Sequence, residues 1–207
     1  MRIALLAAAT LIVSPMTASA TEEPAHETLV KDGKYEIRQY EPTIVAEVEI
    51  SGDMRRAGNS GFRPLADYIF GNNTARSKIE MTAPVTRVKS EKIAMTAPVT
   101  RTMDGDAWTV AFVMPSEWTM ETLPVPNNPD ISLREVPGEL MATVKFAGVG
   151  RERVFIQKEA ALRTWLVEQG YEVSGMARYA GYDAPWVPGP FRRNEVMIPV
   201  AIVGETS

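Results

Sequence analysis

No cysteine occurs in the 207 residues, and histidine occurs once, at His26. The first absence excludes disulfides, thiolate nucleophiles and thiolate metal sites, and with them the lipid-attached kind of export signal. The second leaves the body of the chain without an imidazole for acid-base work or metal ligation. Nor is there a serine nucleophile elbow, a glycine-rich phosphate loop or a cluster of ligands at metal-binding spacing. Long basic runs are missing, and removal of Arg2 from a chain of net charge −4 leaves −5. That balance argues against nucleic acid or an anionic membrane as the main partner. No apolar run is long enough to span a bilayer comfortably, so stable membrane insertion is not expected.

What is present begins with an address. Arg2, the apolar run over residues 3–13 and the small residues Ala18-Ser19-Ala20 have the layout of a cleavable secretory signal. The expectation is a signal peptide over 1–20, cleavage near Ala20 and a soluble mature chain in the periplasm or secreted. Glu22, Glu23, Pro24, His26 and Glu27 make residues 21–33 read as a flexible leader. The remainder, 34–203, is long enough for one domain with a sizeable core.

One phrase occurs twice, as Lys78-Ile79-Glu80-Met81-Thr82-Ala83-Pro84-Val85-Thr86 and Lys92-Ile93-Ala94-Met95-Thr96-Ala97-Pro98-Val99-Thr100. Each copy alternates apolar and polar side chains, which predicts two half-buried strands joined as a hairpin through residues 88–91. Proline cannot donate to a ladder, so Pro84 and Pro98 predict bends or edges.

Elsewhere the alternation in Tyr35-Glu36-Ile37-Arg38-Gln39-Tyr40 and Ile44-Val45-Ala46-Glu47-Val48-Glu49-Ile50 predicts two strands. A helix follows, capped by Asn59 or Ser60, with Phe62, Leu65, Ala66, Ile69 and Phe70 as its stripe and Gly71 as its stop. Pro64 is acceptable there only near the first turn. Residues 109–114 predict a strand, and three prolines make 123–129 irregular.

At an offset of 96, Ile131-Ser132-Leu133-Arg134-Glu135-Val136 overlays the first strand and Met141-Ala142-Thr143-Val144-Lys145-Phe146 the second. A second helix over 153–169, stopped by Gly170, and strands over 172–180 and 194–202 complete a duplicated strand-strand-helix-strand-strand half. The predicted fold is α+β, a distorted antiparallel barrel of about eight or nine strands with two flanking helices.

The phrase Gly61-Phe62-Arg63-Pro64-Leu65-Ala66-Asp67-Tyr68-Ile69-Phe70-Gly71-Asn72-Asn73, the tandem Lys-Ile-x-Met-Thr-Ala-Pro-Val, and Ala180-Gly181-Tyr182-Asp183-Ala184-Pro185 with Arg192-Arg193-Asn194-Glu195-Val196 together resemble the SOUL family of heme-binding proteins. The resemblance spans roughly residues 35–200. It implies a barrel similar to gyrase-inhibitor-like effector-binding domains and non-covalent heme or another tetrapyrrole as ligand, in a cleft beside the first helix. Some members are thought to use a histidine on the iron, but His26 reads as lying outside the barrel. The expectation is therefore a macrocycle held without an axial histidine, with methionine, tyrosine, lysine or no residue on the iron.

A planar apolar ligand bearing carboxylates needs an apolar wall and cations at its rim. Met54, Phe62, Leu65, Ile69, Met81 and Met95 are candidates for the wall, and the same side chains read equally as core. Arg55, Arg56 and Arg63 are candidates for the carboxylates. Glu195 is either a contact for a cationic ligand or, with Arg193, a structural partner fixing the loop over 181–190. Tyr182, Trp186 and Phe191 either cover a ligand or pin that loop. Two functions follow: a non-enzymatic exported tetrapyrrole carrier or buffer, or an effector-binding or envelope interaction module that uses the same cleft for another hydrophobic or cationic small molecule. An enzyme acting on a tetrapyrrole or small ester, with Glu80 or Glu195 as acid or base, is the weakest reading.

Overall fold

The computed structural model describes residues 21–76, 90–184 and 186–202. The expected signal peptide and the first copy of the tandem phrase, with Glu80 and Met81, lie outside them. The elements run β1 (His26–Asp32), β2 (Tyr35–Tyr40), β3 (Thr43–Ser51), α1 (Met54–Ile69), β4 (Asn73–Thr74), β5 (Val99–Asp104), β6 (Ala107–Val113) and β7 (Val125–Pro126). Then come β8 (Ser132–Val136), β9 (Leu140–Ala147), α2 (Glu152–Gln169), β10 (Tyr171–Val173), β11 (Arg178–Gly181) and β12 (Arg193–Ile202).

Nine strands form one curled antiparallel sheet in the order β1-β2-β9-β12-β11-β5-β6-β3-β8. β10 adds to β12, and β4 pairs with β7 apart from the sheet. Exchanging β2 with β8, β3 with β9, β5 with β11 and β6 with β12 makes the order from β2 to β8 read the same from its other end. The first strand of each half is paired in the other half, β2 to β9 and β8 to β3.

Side chains alternate between two faces of the sheet. Ala46 and Val48 of β3, Trp108, Val110 and Phe112 of β6, Ala142 and Val144 of β9 and Val196 and Ile198 of β12 pack with the helices as one buried core. Helix α1 comes so close to β6 that a Cβ on Gly61 would lie 2.5 Å from Val110 Cγ2. Helix α2 seats Phe155 against Phe146 and Tyr179, with ring centroids 5.2 and 5.1 Å apart, and stacks Trp165 on Tyr35. Gly170 ends α2 at φ 76°, a left-handed cap that favours glycine.

Several expectations are corrected. Helix α1 starts at Met54, where Asp53 accepts from Arg56 N at 2.7 Å, rather than at Asn59 or Ser60. Pro64 therefore lies well inside the helix. Its cost there, ~3 kcal/mol in an isolated helix, is offset by burial of Gly61, Leu65, Tyr68 and Ile69 around it. The second tandem copy is not a strand from Lys92. It runs irregularly until Val99, with Ile93 N bonded to Ile69 O and Ala97 N to Glu22 O, because Pro98 has no N–H to offer a ladder. The strand expected over 172–180 is divided: the chain leaves β12 after Val173 and rejoins it at Arg178. Residues 26–32 are not a loose leader but β1, an edge strand paired along β2.

Candidate functional site

The face of the sheet turned away from the helices carries Glu36, Arg38 and Tyr40 from β2 and Glu195 and Met197 from β12. Charge on a buried strand must be partnered, and here four elements supply the partners. Arg38 Nε and Nη2 donate to Glu36 Oε2 at 2.8 and 2.6 Å, and Nη1 donates to Glu195 Oε2 and Tyr40 Oη, both at 2.8 Å. Arg38 Nη2 also reaches Glu195 Oε1 at 3.3 Å, and Tyr182 Oη donates to Glu195 Oε2 at 2.8 Å. Lys31 and Lys145 approach Glu36 from outside at 3.2 and 3.5 Å.

Burial alone would raise the Glu36 pKa, but hydrogen bonds and charge from Arg38, then Lys31 and Lys145, outweigh it and hold the carboxyl at about 2. Burial works against the Arg38 cation too, and Glu195 overcomes it, so the guanidinium is held more firmly charged than usual. Burial and the neighbouring Glu195 charge push the Tyr182 hydroxyl up, and burial raises Tyr40. Glu195, 1% exposed, is thus a structural partner of Arg38 and Tyr182. Arg193 serves the same end of the sheet, stacking 3.7 Å over the Tyr182 ring and pairing with Glu23. The pairing of Glu195 with β2 is the contact that sequence reasoning missed.

Beyond this network the same face opens into a cleft of ≈ 500 Å³. Tyr40, Met141, Met176 and Met197 line it, with valine, alanine and threonine from β3, β5 and β6. Its arginines are already matched: Arg134 binds Glu47 through two 3.0 Å hydrogen bonds, and Arg178 binds Glu139 in the same bidentate way. A second cleft of ≈ 760 Å³ adjoins it and combines Ile44, Trp118 and Met120 with Glu41 and Glu135. Pro24 lines both clefts. The segment around it is tied across the sheet, with Glu22 O accepting from Ala97 N, Glu22 Oε1 from Ser116 N and Ala25 O from Glu41 N.

Among the described residues, those expected to form a wall beside α1 do not line either cleft. Met54, Leu65 and Ile69 are 2, 0 and 1% exposed within the core, because the apolar stripe of α1 is consumed by the helix face of the sheet. Phe62 is half-buried against Phe112, with ring centroids 5.3 Å apart. Arg55, Arg56 and Arg63 are exposed on the helix, and Met95 is on the surface. Trp186 and Phe191 are exposed, whereas Tyr182 is drawn into the Glu195 network. His26 lies on the sheet rather than outside it, directly opposite Tyr40 in the β1–β2 ladder with the rings 4.8 Å apart. The missed cleft residues Tyr40 and Met197 carried one legible signal: Tyr40 shares a strand face with Glu36 and Arg38, and Met197 shares one with Glu195.

The chain is similar to several known proteins. The family model described as SOUL heme-binding protein matches residues 21–199. The chain is 29% identical to Heme-binding protein 1 of Xenopus laevis over 171 residues, covering 80% of this chain and 84% of that one. It is 30% identical to Heme-binding protein 2 of Homo sapiens over 169 residues, covering 80% and 78%. Among solved structures, the EcmrR C-terminal domain superposes with a TM-score of 0.61 at 14% identity, covering 82% of this chain and 98% of that domain, a likeness of fold.

Proposed function

The chain belongs to the SOUL heme-binding family, and from that membership we propose that it is an exported tetrapyrrole carrier or buffer that seats the macrocycle on the open face of its sheet. The observation that carries the reading is the ≈ 500 Å³ cleft with Tyr40, Met141, Met176 and Met197 in its wall. Its volume falls in the ~300–1,000 Å³ range of small-molecule sites. Three polarisable thioethers beside an aromatic ring suit a broad, flat, apolar ligand. Arg134 and Arg178 are the cations in the wall and would meet the carboxylates of such a ligand while remaining paired with Glu47 and Glu139. Heme, if held there, would supply its iron chemistry, and the side chains of the cleft would enclose the ring, orient it and keep water from its faces. This is a binding role, not a catalytic one. Export rests on the charge, apolar run and small-residue site in residues 1–20.

A second reading draws on the adjoining cleft. Glu41 and Glu135 beside Trp118 and Met120 favour a hydrophobic cation, for which the indole face and the carboxylates act together. In that case the protein is an envelope module that captures a cationic small molecule.

Titration of the mature chain, from Thr21, with hemin and with iron-free protoporphyrin tests both readings through the Soret band and tryptophan quenching. Saturable one-to-one binding of a tetrapyrrole supports the carrier. Weak, non-saturating binding of both rings, together with saturable binding of a lipophilic cation, would replace it with the second reading. Cell fractionation tests export: the shorter mature chain is expected in the periplasm or medium, and retention of the full-length chain in the cytoplasm would refute that part.

A further inference from the structure

We propose that residues 22–25 are a gate strap between the two clefts, an inference that deepens the tetrapyrrole reading above and rests on it. The clefts share a wall made of Pro24, Glu41, Thr43, Val113, Val136 and Pro137. Thr43, Val113 and Val136 belong to β3, β6 and β8, and Glu41 and Pro137 sit in short turns held by strands at both ends. Pro24 alone comes from a segment outside every strand. Moving any other shared residue disturbs the strands it belongs to or joins, whereas withdrawing Pro24 unpairs none of them. Glu22, Glu23 and Ala25 line the second cleft beside it, so the whole segment flanks that cleft and Pro24 reaches the first.

Little apolar surface holds the strap down. Glu22, Glu23 and Ala25 are exposed and Pro24 is half-buried. The ties are polar. Glu22 O accepts from Ala97 N and Glu22 Oε1 from Ser116 N, both at 2.8 Å. Glu23 pairs with Arg193 of β12, with both side chains partly exposed, and Ala25 O accepts from Glu41 N at 3.1 Å. Exposed hydrogen bonds and ion pairs are exchanged for bonds to water at small net cost. Segments held in that way, with few buried apolar contacts, open locally while the core stays folded.

From His26 onward the chain is paired along β2, so the strap lifts about the point where β1 begins. Lifting joins the two clefts into one groove along the open face of the sheet, wide enough to admit a broad, flat ring from the side. Reseating returns Pro24 to the boundary and encloses what has entered. The strap therefore sets the rates of entry and escape rather than the fit of the ring.

The test staples the strap. Glu22 and Thr96 are direct partners in an isolated parallel bridge, within the reach of a disulfide, and the absence of native cysteine leaves E22C/T96C a single pairing. Iron-free protoporphyrin is the probe, because its binding is blind to thiolate ligation of iron, and T96C alone controls for the lost hydroxyl. In oxidised E22C/T96C, association and dissociation should both slow by at least about tenfold with Kd nearly unchanged, and reduction should restore them. E22A/E23A, which cuts two of the ties, should exchange the ring faster than wild type. In the unmodified mature chain, hydrogen exchange at the Ala97 and Ser116 amides should run together and well ahead of the β6 amides. Stapled protein that exchanges the ring at the reduced rate constants, or Ala97 and Ser116 amides as protected as those of β6, overturns the gate while leaving the carrier intact. Failure of the wild-type chain to bind the ring overturns both.

Discussion

Replacing Arg38 with methionine, a side chain of comparable length without donors, removes the centre of the buried network. Five hydrogen bonds disappear, two to Glu36, two to Glu195 and one to Tyr40. Glu36 keeps Lys31 at 3.2 Å and Lys145 at 3.5 Å, but among the described residues Glu195 keeps only Tyr182 at 2.8 Å and Lys145 at 4.0 Å. Removing one member of a buried ion pair costs about 3–5 kcal/mol, and the remaining lysines place R38M near 3. For a domain of this size that corresponds to a Tm lower by about 6–12 °C.

Acid should reduce the deficit. In R38M the Glu36 carboxyl loses the guanidinium that helps to hold it at about 2, so the part of the penalty it carries is relieved as pH falls through the ordinary carboxylate range. Urea unfolding of wild type and R38M at neutral and mildly acidic pH measures this directly. The double variant R38M/E195Q, which removes the stranded charge and keeps the Tyr182 contact, should recover part of the loss. A deficit under about 1 kcal/mol, or one that widens on acidification, would refute the view that Arg38 neutralises a buried acidic pair.

Wild type itself should weaken in strong acid. The Glu36 carboxyl is depressed from 4.5 to about 2, so its contribution, at most roughly 3 kcal/mol, is complete above pH 4.5 and lost toward pH 2. The stability gap between wild type and E36Q should close over that window, and a constant gap would contradict it. G61A should destabilise by about 1–2 kcal/mol, despite the better helix propensity of alanine, because the new methyl meets Val110; unfolding that shows stabilisation would mean that α1 is not held against β6. I69A should cost about 2–5 kcal/mol without changing tetrapyrrole affinity. T100W, which fills the cleft from β5, should do the reverse, and loss of binding in I69A but not T100W would move the site back beside α1.

What the sequence disclosed follows from how strongly each element is patterned. Apolar and polar side chains largely alternate along strands β2, β3, β8 and β9, and helix α2 buries one face, so their periodicity is legible even where, as at Glu36, Arg38 and Thr143, the second face of the sheet is buried too, and Gly170 marks the end of α2. Strand β1 buries almost nothing along its length, so its order comes from pairing with β2 rather than from any apolar pattern of its own. That is why His26 reads as outside the barrel. The start of α1 is obscured by Gly58, Gly61 and Pro64, poor helix formers, of which Gly61 sits where the helix packs closely on Val110 of β6 and Gly58 lies against Arg101 of β5. Among the wall candidates, Met54, Leu65 and Ile69 are as apolar as a ligand site requires, and as a core requires. Only the parity of residues across the sheet separates the two faces, and it places Met141 and Met197 at the cleft.

The crossed pairing of the halves also shapes how the chain can fold. After β1 and β2 close as a local hairpin, the other edge of β2 stays open until β9 is made, about a hundred residues later. Strand β8, in turn, has nothing to join until it returns to β3. Synthesis of the first half alone therefore leaves a sheet edge that no part of that half can seal. Two separately produced halves should complement each other in trans rather than stand as independent modules. A nascent chain with this wiring remains unsealed through most of its synthesis, a state compatible with the export proposed above.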